Sequence, residues 1–374
     1  MSFIKKIPIP MAGLILAIVS LGNFMLQRQF EVVGHIFVWI AILLIAFLTL
    51  RVVVDFQSIK QELKNPMIAA VAPTFTMATF GIAAYIHQFE SFVLLANVLW
   101  YGAIVLHLGF MAHFTYHFVI KHDLTLQSLY PSWFITYIGI GVITFTSPTF
   151  NLLIGQIFFV LAIINYVVLV PMMIYRLIKT HYNEPAAMPL LTILTAPTSL
   201  CLAGYLAITD APNTAIVASS LIVSQILFFV VLYFLHNIFK LAFYPSFAAF
   251  TFPLVITGIA ATLAHDVLQW PYFQFVAYTE VALAIVITGI VLVRYLAFLF
   301  IQKKEAPVAK TVKKEVKFNK KNIAFRRDVF FIKYYLVQLL SLCFVVVVMY
   351  SVASFCTVSF SQNCFTCLPS FSTP

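Results

Sequence analysis

Thr74, Thr76, Thr79, Thr136, Thr144, Thr195, Thr198, Ser199, Thr251 and Thr257 set hydroxyls into apolar segments that contain no Asp, Glu, Lys or Arg. A hydroxyl offers a passing ion a weak, neutral contact, and backbone dipoles add contacts of the same kind. A cation pathway would be marked by rings of carboxylates, and a proton pump by an acidic relay. Weak neutral sites suit passage of an ion better than its capture. Many of these hydroxyls are also expected to bond back to their own helices.

The same segments carry Pro10, Pro73, Pro131, Pro197 and Pro253, spaced about sixty residues apart, room each time for two membrane crossings and their turns. Proline removes a backbone donor and bends a helix, freeing carbonyls that hydrocarbon cannot satisfy but a water-lined cavity can. The spacing therefore predicts helical hairpins in which every other helix is bent around a conduit. Other chemistry is sparse. No catalytic residue, cofactor site or metal-ligand set is expected, and an enzyme is not. No phosphate-cradling Gly-rich loop with Lys and Ser/Thr is present. His107, His113 and His117 lack a carboxylate or Cys partner that would make a metal site. His87 and His265 fall near outer helix ends and could form a weakly basic vestibule. Glu280 is an intramembrane carboxyl and hence a candidate coupling group, although packing is the simpler role for a carboxyl without a relay.

Composition requires a membrane. Of 374 residues, 63% are hydrophobic, 39 are Phe and only 9% are charged, which excludes a soluble enzyme. Apolar runs predict an all-α integral membrane protein with ten transmembrane helices, at 7–27, 33–50, 66–87, 91–117, 130–146, 150–175, 185–207, 213–239, 244–264 and 271–293. Short polar turns such as Gln57 to Asn65, His122 to Ser128 and Ile208 to Asn213 separate them. Ten spans put Lys5, Lys6, Arg51, Lys60, Lys64, Lys121, Arg176, Lys179, Lys240 and Arg294 on one side. The other side holds Arg28 with Glu31, Glu90, Asp210 and Asp266. By the positive-inside rule the N-terminus is cytoplasmic, in a multi-pass protein of the plasma membrane.

Three regions follow: a transmembrane domain at 1–300, a basic cytoplasmic linker at 301–329 and an apolar, Cys-containing tail at 330–374. The linker holds ten Lys or Arg between 303 and 327, against Glu305 and Glu315. Such charge fixes topology and can contact anionic membrane lipids; without a folded platform it does not suggest nucleic acid. Residues 334–356 are apolar enough for an eleventh span, which would put Cys364 and Cys367 outside. A lone Cys-x-x-Cys is a weak zinc or redox signal.

Internal repeats locate the working surface. Ala72-Pro73-Thr74 recurs as Ala196-Pro197-Thr198, and Gly81-Ile82-Ala83-Ala84 recurs as Gly258-Ile259-Ala260-Ala261. Both matches join odd-numbered spans, where small residues such as Gly81 and Gly258 allow close helix approach. Trp100 with Leu106-His107-Leu108, Pro131-Ser132-Trp133, Ala196-Pro197-Thr198, and Pro245-Ser246-Phe247-Ala248-Ala249-Phe250-Thr251-Phe252-Pro253 then complete a pattern. It resembles the tellurite-resistance/dicarboxylate transporter family, which includes bacterial TehA, slow-type anion channels of plant guard cells, and fungal malate and sulfite transporters. The resemblance covers residues 7 to about 300. It implies five hairpins around a central pore, with odd helices inside and even helices outside, and a homo-oligomer, a trimer. It also implies that Phe252, just before Pro253, plugs the pore. The cargo implied is a small inorganic or organic anion. A proton-coupled carrier of C4-dicarboxylates, tellurite or sulfite is the alternative, with Glu280 as its coupling carboxyl.

Overall fold

The computed structural model describes residues 3–121, 125–180 and 184–301, without the side chains of 236–238 and 301. The basic linker from 302 onward, the 334–356 run, and Cys364 and Cys367 lie outside the described residues. Thirteen α-helices follow along the described chain: α1 (Met11–Gln27), α2 (Glu31–Val54), α3 (Phe56–Glu62), α4 (Pro66–Val71), α5 (Thr74–His87), α6 (Val93–Phe114), α7 (Trp133–Ile138), α8 (Gly141–Thr146), α9 (Leu152–Lys179), α10 (Ala196–Ile208), α11 (Thr214–Ile238), α12 (Phe252–Leu268) and α13 (Phe273–Ile301). Tighter 3₁₀ stretches at Pro185–Thr195 and Pro245–Phe250 lead into α10 and α12. No strand occurs among the described residues.

This is an all-α membrane protein. Eight of its helical segments are long and apolar enough to cross a membrane: Glu31–Val54, Pro66–His87, Glu90–Ile120, Leu152–Lys179, Pro185–Ile208, Thr214–Leu235, Pro245–Leu268 and Phe273–Phe300. A count of ten adds α1, a shorter apolar helix, and the α7–α8 segment, which is broken. The expected continuous span at 130–146 is thus two six-residue helices. The break falls at Gly139, whose amide bonds the carbonyls of both Phe134 and Ile135, and where an added Cβ would lie 2.2 Å from the Ile135 oxygen. A second difference concerns the turn expected from Gln57 to Asn65, most of which is α3. Arg51 at the end of α2 fastens that helix by pairing with Glu62.

Packing sorts the helices into two rings. α1 touches α5, α5 touches α8, α8 touches α10, α10 touches α12 and α12 returns to α1, closing an inner ring. Each inner helix also packs on the long helix that follows it, giving the hairpin pairs α1–α2, α5–α6, α8–α9, α10–α11 and α12–α13. Burial agrees. The Pro66–His87, Pro185–Ile208 and Pro245–Leu268 segments are 72%, 61% and 89% buried over their apolar windows, against 28% for α2 and 33% for α9 and α13. Apart from α11, half of whose window is buried, the outer helices therefore leave most of their apolar windows to lipid.

Within lipid no hydrophobic force draws helices together, so backbones must approach closely enough for dispersion contacts to hold them. Gly22 and Gly34 serve the first hairpin in this way. A Cβ at Gly34 would lie 2.6 Å from Leu26 and 2.9 Å from the Gly22 carbonyl. Asparagine caps start the hairpin arms: Asn65, Asn151 and Asn213 accept from the amides of Met67, Ile154 and Ala215 respectively.

Candidate functional site

All five inner segments run in the same direction. The start of α12 meets the start of α1 where Thr251 donates to the Gly13 carbonyl (3.2 Å). Their far ends meet in the Arg28–Asp266 ion pair. Likewise Thr136 in α7 donates to Ala70 in α4 (3.0 Å), start to start. Parallel inner helices align their peptide dipoles, with the positive ends toward the side that bears Lys5, Lys6 and Arg51. The antiparallel outer helices offset part of that field.

Prolines start or interrupt each inner segment, and in α7–α8 the break itself is at Gly139. Pro10 precedes α1, whose first amides bond three residues back, Gly13 to Pro10 at 3.0 Å. Pro73 separates α4 from α5, and Phe75 bonds Ala72 across the break at 3.0 Å. Pro131 leads into α7, with Phe134 bonding it at 3.1 Å. Pro197 and Pro253 occupy the first turns of α10 and α12, positions where a missing N–H costs least.

Threonines then bond back to carbonyls at and after the breaks, two of which, Pro73 and Ala248, also accept the Met77 and Thr251 amides. Thr74 donates to Val71 (2.6 Å), Thr251 to Ala248 (2.6 Å) and Thr257 to Pro253 (2.8 Å). The Thr76 hydroxyl lies 2.7 Å from both the Pro73 carbonyl and His107 Nδ1, linking α5 to α6. Nine of the ten hydroxyls singled out by sequence donate to backbone carbonyls. The tenth, Thr198, pairs with the Tyr166 hydroxyl of outer helix α9 at 2.9 Å, on the side of α10 facing the outer ring.

Phe252 is the first residue of α12 and is 7% exposed, immediately after the Thr251 bend (φ −91°, ψ −78°). The two repeat glycines serve different neighbours. A Cβ at Gly81 would lie 3.0 Å from Val19 of α1, and one at Gly258 would lie 3.0 Å from Val281 of α13. Glu280 is buried on α13, where Gln225 of α11 donates to Oε2 at 3.3 Å, while Oε1 has no protein partner. Beside it Ser199, Ser224 and Thr257 join α10, α11 and α12 through hydroxyl contacts of 2.8 and 3.1 Å. These links across the fold, and the Thr251–Gly13 bond, had no signal in the sequence because their partners lie 25 to 238 residues apart.

An inner ring of parallel helices marked by prolines, with the Arg28–Asp266 pair at its far end, wrapped by lipid-facing partners, is the architecture of a membrane-embedded transport protein. The chain belongs to the voltage-dependent anion channel family, whose model matches residues 7–296. That is the kinship to which the bent segments and the Thr251-Phe252-Pro253 motif pointed; members of the family are channels and transporters of anions. No curated protein matches the chain.

Proposed function

We propose that this chain is a plasma-membrane channel or facilitator that passes small anions down the axis of the inner ring, with Phe252 as its gate. All five hairpins cross the bilayer in this reading, and the N-terminus faces the basic, cytoplasmic side. The observation that carries it is the closed ring itself: five inner segments, each started or interrupted at a proline or glycine, pack in sequence around one axis, and the acidic side chain they carry, Asp266, is paired with Arg28 at their far end. The pairing of that negative charge and the inward positive ends of the helix dipoles both favour an anion. An aromatic ring at the α12 break can close a narrow apolar passage and open it by a change of rotamer, with no domain motion.

Glu280 supports a second reading, proton-coupled transport of a C4-dicarboxylate or an oxyanion such as tellurite or sulfite. Its buried carboxyl has an unpartnered oxygen and lies beside hydroxyls that reach the inner ring. Chloride currents in planar bilayers separate the two. A channel gives a reversal potential set by chloride and unmoved by a proton gradient, and Glu280→Gln leaves it unmoved. A coupled carrier shifts with the proton gradient, and Glu280→Gln abolishes that shift while sparing passive flux.

A further inference from the structure

We infer that Arg294 and Tyr295, adjacent on outer helix α13, are positioning residues that hold the segment leading into Phe252. The inference rests on Phe252 being the gate. Arg294 donates from Nη2 to the Phe239 carbonyl at 3.3 Å. Its guanidinium lies 5.3 Å from the Phe239 ring centre and 5.2 Å from that of Phe247. Arg294 therefore clamps both ends of the 239–247 stretch with one planar group, a geometry that lysine cannot copy. Tyr295 is fully buried, and its hydroxyl donates to the Pro245 carbonyl at the first residue of the 3₁₀ stretch.

The clamp reaches the gate through rings. Phe239 stacks on Phe250 at 4.9 Å, and Phe247 meets Phe250 edge-on at 5.0 Å. Phe250 is fully buried, and only Thr251 separates it from Phe252. Thr251 is tied sideways to Gly13 of α1. The Phe252 backbone is thus fixed from below by α13 and from the side by α1. Short 3₁₀ stretches have poorer hydrogen-bond geometry than an α-helix and shift more readily when such ties are cut.

Arg51 and Arg176 provide the internal control. Like Arg294 they lie on outer helices and donate to a carbonyl ahead of the inner helix of their own hairpin, Arg51 to Ile7 and Arg176 to Leu129. No gate follows those two carbonyls. An anchoring role alone predicts that all three arginines behave alike; a positioning role sets Arg294 apart.

The test is basal chloride conductance of the full chain in planar bilayers. Arg294→Met is expected to raise it on the order of tenfold, since a charge-assisted bond to the part-buried Phe239 carbonyl is lost. Tyr295→Phe should raise it by a smaller factor, and Arg294→Lys should fall between Arg294→Met and the native protein. In a Phe252→Ala background neither change should add anything, because the ring on which they act is gone. Arg51→Lys, which keeps the charge at that mouth, should conduct as the native protein does. Native conductance in both Arg294→Met and Tyr295→Phe, with Phe252→Ala conducting more, would overturn the inference and leave the gate standing. So would effects that add to that of Phe252→Ala, or a rise in Arg51→Lys equal to that in Arg294→Lys. Native conductance in Phe252→Ala removes the gate and this inference with it. If Arg294→Met does not insert, Tyr295→Phe, which loses only one hydroxyl, decides the matter.

Discussion

Replacing Phe252 or Phe250 by alanine removes the same side chain two residues apart and should give opposite phenotypes. Phe250 is fully buried and touches the rings of both Phe239 and Phe247. Truncating an aromatic residue packed in this way costs about 3–5 kcal/mol, the transfer loss plus a cavity that neighbours cannot fill. Phe252 is 7% exposed and makes no ring–ring contact among the described residues. If its ring faces the axis of the inner helices, no closed cavity forms on truncation, and the cost is the transfer loss alone, about 1.5–3 kcal/mol. Thermal unfolding in detergent micelles measures the stability, and chloride efflux from reconstituted vesicles measures the passage. Phe252→Ala should unfold near the native temperature and leak chloride, whereas Phe250→Ala should unfold well below it. A Phe252→Ala protein as unstable as Phe250→Ala, with native efflux, would show that Phe252 is a packing residue and refute the argument.

The glycines offer a second contrast. Gly34→Ala should destabilise the first hairpin by about 1–3 kcal/mol, because the new Cβ meets backbone and a branched side chain, while Gly102→Ala, with nothing within 4 Å, should be neutral or stabilising by up to about 1 kcal/mol; melting temperatures of the two variants check the sign. For the tail, we propose that 334–356 crosses the membrane. A membrane-impermeant thiol reagent applied to intact, mildly reduced cells should then label Cys364 or Cys367, and labelling only after permeabilisation would place the tail inside.

What the sequence made legible was chemistry that acts locally. A proline lacks its donor wherever it falls, so Pro10, Pro73, Pro131, Pro197 and Pro253 mark helix interruptions before any packing is known. Hydropathy marks membrane segments just as locally. It does not tell a buried helix from a lipid-facing one, because in a bilayer both are apolar. The contrast between α12 and α13 is therefore invisible in composition and appears only once the ring closes. The Gly139 break was hidden by the uninterrupted apolar run around it. Hydroxyl direction was equally hidden: Thr74 turns back on Val71 and Thr198 turns out to Tyr166, although both follow an Ala-Pro pair. Repeated sequence did not mean repeated environment.

That difference bears on how an ion would meet the lining. A threonine that gives its proton to a carbonyl keeps only lone pairs, and lone pairs repel an anion. Thr74, Thr76, Thr251 and Thr257 are all committed in this way at the breaks. The Pro73 and Ala248 carbonyls also accept backbone amides, from Met77 and Thr251, so they present no bare negative oxygen that would attract cations. The breaks are thus neutralised, and the inner ring has few strong sites of either sign. Attraction must come from farther away, from the aligned helix dipoles and the basic residues at one mouth, whose fields fall off gradually and bind nothing tightly. Conduction needs an ion to leave as readily as it enters. In the function proposed above, a passage whose polar groups are occupied with one another, and which Phe252 closes at a backbone break, meets that requirement with its acidic residue Asp266 paired with Arg28 at one end.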